Sequence, residues 1–284
     1  MRLSVCIVNW NTRDYLRECL AALTAYPPKG GEIEIIVVDN ASADGSAEMV
    51  AAEFPAVILI AATTNLGYAE GSNLALQRAG GDALLLLNPD VVVHPESLTR
   101  AAEFAASHPE LGAFGGRLVG TDGKTQSSLR SFPDPGPVLW EYLGLSRLFS
   151  KSRVFGAYRM TWFDYESVTE ADQPMGSFLW ISRAAYQAVG GMDPRFPIFF
   201  NEVDWCRRAK RQHGYSIWYT PDVVVTHYGG GSTRQVKASM VRESHRSLLR
   251  FYDKHYPHLG PPVKWLLRTA VLLNEWRLLS KAKD

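Results

Sequence analysis

Four short apolar runs, LSVCIVNW, IEIIVVDN, AVILIAA and DALLLLN, recur before residue 89. Each carries Val, Ile and Leu on successive rather than alternate positions. A strand that is apolar on both faces has to be covered on both faces, which is the condition of a parallel sheet between two helical layers. The intervening segments agree: Tyr15 to Ala25, Ser46 to Glu53 and Gly71 to Ala79 have helical spacing, with Ser46 and Ser72 near the helix starts. The expected fold is α/β, a doubly wound, Rossmann-like sheet. Ligands of such sheets sit beyond the carboxyl ends of the strands. The residues there are Asn9-Trp10-Asn11, Asp39-Asn40, Asn65-Leu66-Gly67 and Asn88-Pro89-Asp90, all without Lys or Arg. No GxGxxG follows the first run and no GxxxxGK[ST] occurs, which argues against a dinucleotide fold and a P-loop NTPase.

With 284 residues, 46% of them hydrophobic, the chain can bury a sizeable core. A net charge of +1 gives no case for nucleic acid, and Arg207, Arg208, Lys210 and Arg211 read as the solvated face of a helix. Cys6, Cys19 and Cys206 lie too far apart for a disulfide framework or a zinc site, so a reducing cytoplasm is the simplest home. The first strand begins almost at once, with no signal-peptide pattern, so export by that route is not expected. From about 121 to 173 regular patterning fades into Gly, Pro, Ser and aromatics, as in an ordered binding loop. It resumes at PMGSFLWISRAAYQAVGGMD, a strand and a short helix ending on Gly190-Gly191.

Six stretches then appear in one order: SVCIVNWNTRDYLRECLAAL, EIIVVDNASADGS, NLGYAEGSNLAL, LLLLNPDVVV, MGSFLWISRAAYQAVGGMDPRFPIFFNEVDWCRRAKRQHGY and WYTPDVVVTHYGG. Together they cover most of residues 3 to 231. In this the chain resembles the family 2 inverting glycosyltransferases of the GT-A fold, and among them the bacterial rhamnosyltransferase-like members. The resemblance implies a catalytic domain over residues 1–238, with a nucleotide-binding part (1–120) and an acceptor-binding part (121–238), followed by C-terminal helices (239–284).

It also implies roles. Asn88-Pro89-Asp90 corresponds to the family's Asp-x-Asp motif with the first carboxylate replaced. Asp90 becomes the expected ligand of a divalent cation, Mg²⁺ or Mn²⁺, and Asn88 a contact to sugar or ribose. Hard cations prefer such oxygen ligands, and a departing diphosphate needs its charge neutralised. Standing alone, the tripeptide is also an ordinary turn. Asp39 would accept from the donor's base, its alternative being an Asx turn. Asn11, Asn65 and Gly67 are further donor-site candidates, with turn and cap chemistry equally open. Glu202 in FFNEVDWCRR takes the place of the family's base, which removes the acceptor's proton. Asp204 would support the acceptor or orient the helix start. His227 is where related enzymes place a metal-binding histidine, and Arg234 or Lys237 in the glycine-rich segment after it could steady the diphosphate. Met175-Gly176-Ser177, whose small residues leave room for a sugar, and the aromatic faces of Trp180 and Trp205 are candidate acceptor contacts, core packing being the commoner fate of a tryptophan.

The expected activity is therefore inverting, metal-dependent transfer of L-rhamnose from dTDP-L-rhamnose to a glycan or lipid-linked acceptor in bacterial surface polysaccharide synthesis. Galactofuranosyl, glucosyl and N-acetylglucosaminyl transfer from a UDP sugar are the rivals inside the family. A non-catalytic carbohydrate-binding protein of the same fold is the rival outside it, and the presence of Asp90 and Glu202 disfavours that reading. A nucleotidyltransferase would carry a basic, glycine-rich signature after the first strand, which NWNTRD lacks. Residues 239–256 are helical in pattern with many cations. The apolar segment 263–279 contains Lys264, Arg268 and Arg277, too polar for a spanning helix. It reads either as a cationic amphipathic helix at the inner face of the membrane or as a helix packed on the domain or in a homodimer.

Overall fold

The computed structural model describes residues 1–231 and 233–280, without the side chains of 233 and 234. All four apolar runs form strands: β1 (Arg2–Asn9), β2 (Glu32–Asp39), β3 (Ile58–Ala61) and β4 (Ala83–Leu87). They pair in parallel in the spatial order β3-β2-β1-β4. Their continuous apolarity has the expected cause. Leu84, Leu86, Ile36 and Val38 face one core, while Leu85, Leu87, Val37 and Ile7 face a second core on the other side of the sheet. Only β3, at the sheet edge, is half-buried.

The connecting helices are α1 (Arg13–Ala25), α2 (Ser46–Glu53) and α3 (Gly67–Arg78). Helix α3 begins four residues before the expected Gly71, so Ser72 lies buried inside the helix rather than at its start. The reason is tertiary: the Pro197 carbonyl accepts from the Tyr68 and Ala69 N–H groups at 2.6 and 3.1 Å, satisfying donors that a helix start leaves open. Gly67 makes room for that carbonyl. Its φ is +79°, and a Cβ there would lie 2.9 Å from the Pro197 oxygen.

After β4 the chain forms β5 (Val91–Val93), α4 (Ser97–Ser107) and β6 (Leu111–Val119). The poorly patterned stretch folds into short pieces: β7 (Leu129–Arg130), α5 (Pro135–Tyr142), α6 (Leu145–Leu148), β8 (Thr169–Glu170) and β9 (Gln173–Pro174). A small aromatic core of Tyr165, Phe163 and Tyr219 orders it. Regular structure returns with β10 (Phe178–Ser182), α7 (Arg183–Val189), α8 (Asn201–His213) and β11 (Ser216–His227), then α9 (Lys237–His255) and α10 (Pro261–Ser280). Strand β10 lies antiparallel between β4 and β6, and β11 runs parallel to β6 and antiparallel to β5. The result is a central, mostly parallel sheet with helices on both faces; the strand expected at Phe178–Ser182 is present, but no local pattern announces its antiparallel pairing.

Helices α9 and α10 share the core of this body: Leu248, Phe251, Leu267 and Val271 pack in the same cluster as Trp205 and Cys206. The junction of α8 with α9 is held by Asp204, whose side chain is fully buried. It meets His255 Nε2 at 2.7 Å, Lys254 Nζ at 2.5 Å and Arg208 Nε at 2.9 Å. Burial alone would raise its pKa, but these donors outweigh burial and hold the carboxyl below the usual carboxylate range. The expected acceptor contact is thereby corrected, because Asp204 is enclosed by α8 and α9. Removing one partner of a buried ionic cluster strands the others. Asp204→Ala should cost about 3–5 kcal/mol, measured as a lower urea midpoint with an unchanged slope.

Candidate active site

The polar strand ends converge on one edge of the sheet. Asp39 closes β2 in register with Asn9 of β1. It is buried, with one oxygen accepting from Asn9 Nδ2 at 2.8 Å and the other from the Ser42 N–H at 3.0 Å. Each carboxylate oxygen keeps further lone-pair capacity, so a fixed acceptor stands at the strand end. Asn11, at φ +50°, has its N–H on Ser42 Oγ and its side-chain oxygen on the Ala43 N–H, which ties the first loop to the second. Beside it Thr12, Tyr15, Asp44, Gly231 and Gln235 line a shallow cleft of about 250 Å³. Asn65 and Gly67 behave as turn and cap residues: the exposed Asn65 accepts from the Gly67 N–H at 2.9 Å.

Asp90 and His227 are far apart in sequence and adjacent in space, because β5 and β11 pair with Val91 opposite His227. Asp90 Oδ1 lies 3.6 Å from His227 Nε2, and its Oδ2 accepts from the Gly231 N–H at 3.3 Å. His227 Nδ1 is 2.7 Å from Gln126 Oε1, and Gln126 Nε2 donates to the His227 carbonyl at 2.8 Å. A carbonyl oxygen can only accept, so Nδ1 carries the ring proton and the Nε2 lone pair faces Asp90 and the Ser177 hydroxyl at 3.1 Å. Burial holds the imidazole below its ordinary pKa, with the Asp90 charge pulling the other way. A neutral ring with its outer nitrogen fixed by a neighbour is the form that ligates a cation. Among the described residues no group of three His, Cys, Asp or Glu is gathered for a metal. The pair still fits Mg²⁺ or Mn²⁺, which usually take one or two protein ligands and complete their shell with phosphate oxygens and water.

The segment Gly176-Ser177, between β9 and β10, joins this pair to the candidate base. Asn88 donates its backbone N–H to the Ser177 carbonyl at 3.0 Å and its side-chain amide to Ser177 Oγ at 3.2 Å. On the other side, a Cβ at Gly176 would lie 3.4 Å from Glu202 Cγ. Glu202 sits in the first turn of α8, entered through Phe200 at φ +67°, a conformation costly for a side-chain-bearing residue and common where geometry is imposed for function. Burial pushes the Glu202 carboxyl up to about 7, against backbone hydrogen bonds at Glu202, Gly176 and Val203 that favour the ionised form. Tyr68 closes this side, its hydroxyl donating to the Gly176 carbonyl at 3.5 Å, with burial and the Glu202 charge pushing the phenol up.

Two aromatic expectations are overturned. Trp180 is 1% exposed and stacks on Phe114, since it projects into the core that covers one face of the sheet, together with Leu85 and Leu98. Trp205 is 0% exposed and its indole N–H donates to the Gly190 carbonyl at 2.8 Å. Neither can meet an acceptor. The Arg234 side chain lies outside the described residues. Gln126 and Tyr68 were missed. Ser177 was expected beside Gly176 on the acceptor side, but not its bonds to Asn88 and His227; Gln126 falls in the unpatterned stretch, where no spacing announces a partner for His227.

This geometry agrees with the similarities of the whole chain. The sequence model of Glycosyl transferase family 2 matches residues 4–168. The N-acetylglucosaminyl-diphospho-decaprenol L-rhamnosyltransferase of Mycobacterium tuberculosis is 27% identical over 96% of this chain and 91% of its own length. Among solved structures, the mannosyltransferase PcManGT from Pyrobaculum calidifontis, in complex with GDP-Man and Mn²⁺, superposes with a TM-score of 0.59 at 19% identity, covering 99% of this chain and 72% of that one. S. aureus TarS 1-349 in complex with UDP-GlcNAc gives 0.57 at 19% identity, covering 96% and 72%. The fold is that of GT-A glycosyltransferases, and the chain belongs to glycosyl transferase family 2.

Proposed function

We propose that the protein is an inverting, cation-assisted glycosyltransferase that moves L-rhamnose from dTDP-L-rhamnose to a glycan or lipid-linked acceptor in bacterial surface polysaccharide synthesis. The observation that carries this reading is a carboxyl with a pKa of about 7, Glu202, joined through Gly176-Ser177 to the Asp90–His227 pair. The choice of rhamnose and of a lipid-linked acceptor leans on the mycobacterial relative, whose name specifies both.

The step is a single displacement. The acceptor hydroxyl gives its proton to the Glu202 carboxylate as its oxygen bonds to the anomeric carbon. The bond from that carbon to the diphosphate oxygen breaks on the opposite face, and its electron pair leaves with the nucleotide. A base works best with a pKa near the working pH, which burial provides here. Asp39 accepts from the base of the nucleotide, and Asn88, anchored on Ser177, faces the sugar or ribose. Asp90 and His227 would hold a divalent cation, which when bound supplies positive charge to the leaving diphosphate.

The exposed side of α10 supports peripheral contact with the inner face of the membrane. Trp265 and Trp276 are 69% and 70% exposed there, beside Leu272 and Leu273 and between Arg268 and Arg277. A homodimer is the competing way to cover it. No described helix is long and apolar enough to cross a membrane. Flotation with anionic vesicles that fails, alongside a dimer on gel filtration, would overturn the membrane contact.

Glu202→Gln should lower kcat by at least about 10²-fold while leaving donor affinity intact. In the parent protein kcat/KM should fall as pH drops through about 7, because the carboxylate form is required. Stability should move the other way. The carboxyl is raised from 4.5 to about 7, so the cost of ionising it in the fold is absent below pH 4.5, grows between those values and is complete above 7. Its upper figure is about 3 kcal/mol, reduced by the solvent contact the side chain keeps. Glu202→Gln should therefore unfold at higher temperature than the parent at pH 8 and at the same temperature at pH 4. Equal melting at both values would remove Glu202 from the role of desolvated base.

Chelation with EDTA and Asp90→Asn should each lower kcat on the order of 10²-fold, and Mg²⁺ or Mn²⁺ should restore only the chelated parent. In thermal-shift titrations dTDP-L-rhamnose should raise Tm in the presence of the cation. A response to UDP sugars alone would replace the donor assignment.

A further inference from the structure

A cleft of about 680 Å³ opens between the end of β1, the start of α3, the loop before α8 and the first turns of α9. That volume suits a small organic ligand. Trp10, Leu66, Pro197, Ile198 and Met240 make much of its wall apolar, and Arg242 and Arg246 line it from α9. Spacing of four on a helix sets the two guanidinium groups side by side, where like charges repel unless an anion lies between them. Among the described residues neither makes an ion pair, and both are exposed. The acid of this wall, Glu243, is already engaged: Arg250 pairs with it and Ser247 Oγ donates to it at 3.1 Å. The α9 side therefore offers two cations with free donors, opposite an apolar surface.

Its position gives this charge a use. Pro197 and Ile198 lead into α8, and Asn201 Nδ2 donates to the Ile198 carbonyl at 2.9 Å, one residue before Glu202. Trp10 lies between Asn9 and Asn11 on the nucleotide side. The cleft thus reaches from the strand ends, where Asn65 and Gly67 line it, to α8, whereas Asp90, Asn88 and His227 do not line it. A donor diphosphate at the Asp90–His227 pair leaves it open to a second molecule.

We propose that this cleft binds the diphosphate-linked prenyl group of the acceptor, with Arg242 and Arg246 on the diphosphate and the Trp10, Ile198 and Met240 wall against the first isoprene units. The inference rests on the glycosyltransferase reading above and specifies its acceptor class. Guanidinium groups match phosphate oxygens in pairs, and the apolar wall distinguishes such an ester from a free inorganic anion.

Calorimetry on the full chain tests it. Binding of dTDP with Mg²⁺ is measured first, and farnesyl diphosphate is then titrated with dTDP kept saturating. Farnesyl diphosphate should bind with dTDP in place, more tightly than either inorganic pyrophosphate or farnesol. The R242Q/R246Q double variant should weaken it at least about tenfold and leave dTDP affinity unchanged, which also reports an intact fold. Competition between farnesyl diphosphate and dTDP would assign the cations to the donor and overturn the proposal. So would absence of binding to the parent protein, or equal binding to the double variant. Failure of dTDP to bind while farnesyl diphosphate binds through these arginines would instead count against the donor reading and leave the cleft assignment standing.

Discussion

Ser177 is the contact on which the site depends. Its carbonyl and hydroxyl hold Asn88 at the end of β4, its hydroxyl meets His227 at the end of β11, and Gly176 before it packs against Glu202. Three distant stretches of chain are thereby brought to one edge of the sheet. The arrangement is possible because β10 inserts antiparallel between β4 and β6, which delivers the residues before it to the same edge as the carboxyl ends of the parallel strands. A loop anchored only by its own turns would not hold the Glu202 carboxyl and the Asp90–His227 pair in fixed relation.

Two carboxylates in one helical turn show how surroundings divide roles. Asp204 and Glu202 both lie in the first turn of α8. Asp204 is met by His255, Lys254 and Arg208, and its carboxyl is held in the charged form as a joint between helices. Glu202 has only backbone donors, which do not outweigh desolvation, so it stays near neutrality and able to exchange a proton. Helix-start electrostatics favours both acids equally, and the difference comes from what α9 and the Gly176 segment bring to each.

The parallel half of the fold was legible because its signal is local. Double-sided burial writes continuous apolarity into each strand, and the polar residues that end it mark the ligand edge. Asp39 and Asp90 stood out that way as strand-end residues, and the family pattern added His227 and Glu202. Gln126, Tyr68 and the bonds that Ser177 makes were not legible, since a hydrogen-bond partner supplied across the fold leaves no periodic trace. Trp180 and Trp205 were misread for a related reason: an aromatic beside a functional residue looks the same in sequence whether it faces a ligand or the core.

By itself, then, the sequence determined the βαβ series, the edge where chemistry gathers and the residue types able to bind a diphosphate and take a proton, because these follow from burial periodicity and from side-chain chemistry. Only the tertiary structure decided that Asp204 is a structural joint, that the Glu202 carboxyl is raised to about 7, and that Arg242 and Arg246 line a largely apolar cleft near the start of α8. Each of those depends on desolvation and on charges contributed by elements remote in the chain, and neither quantity is defined until the chain has folded.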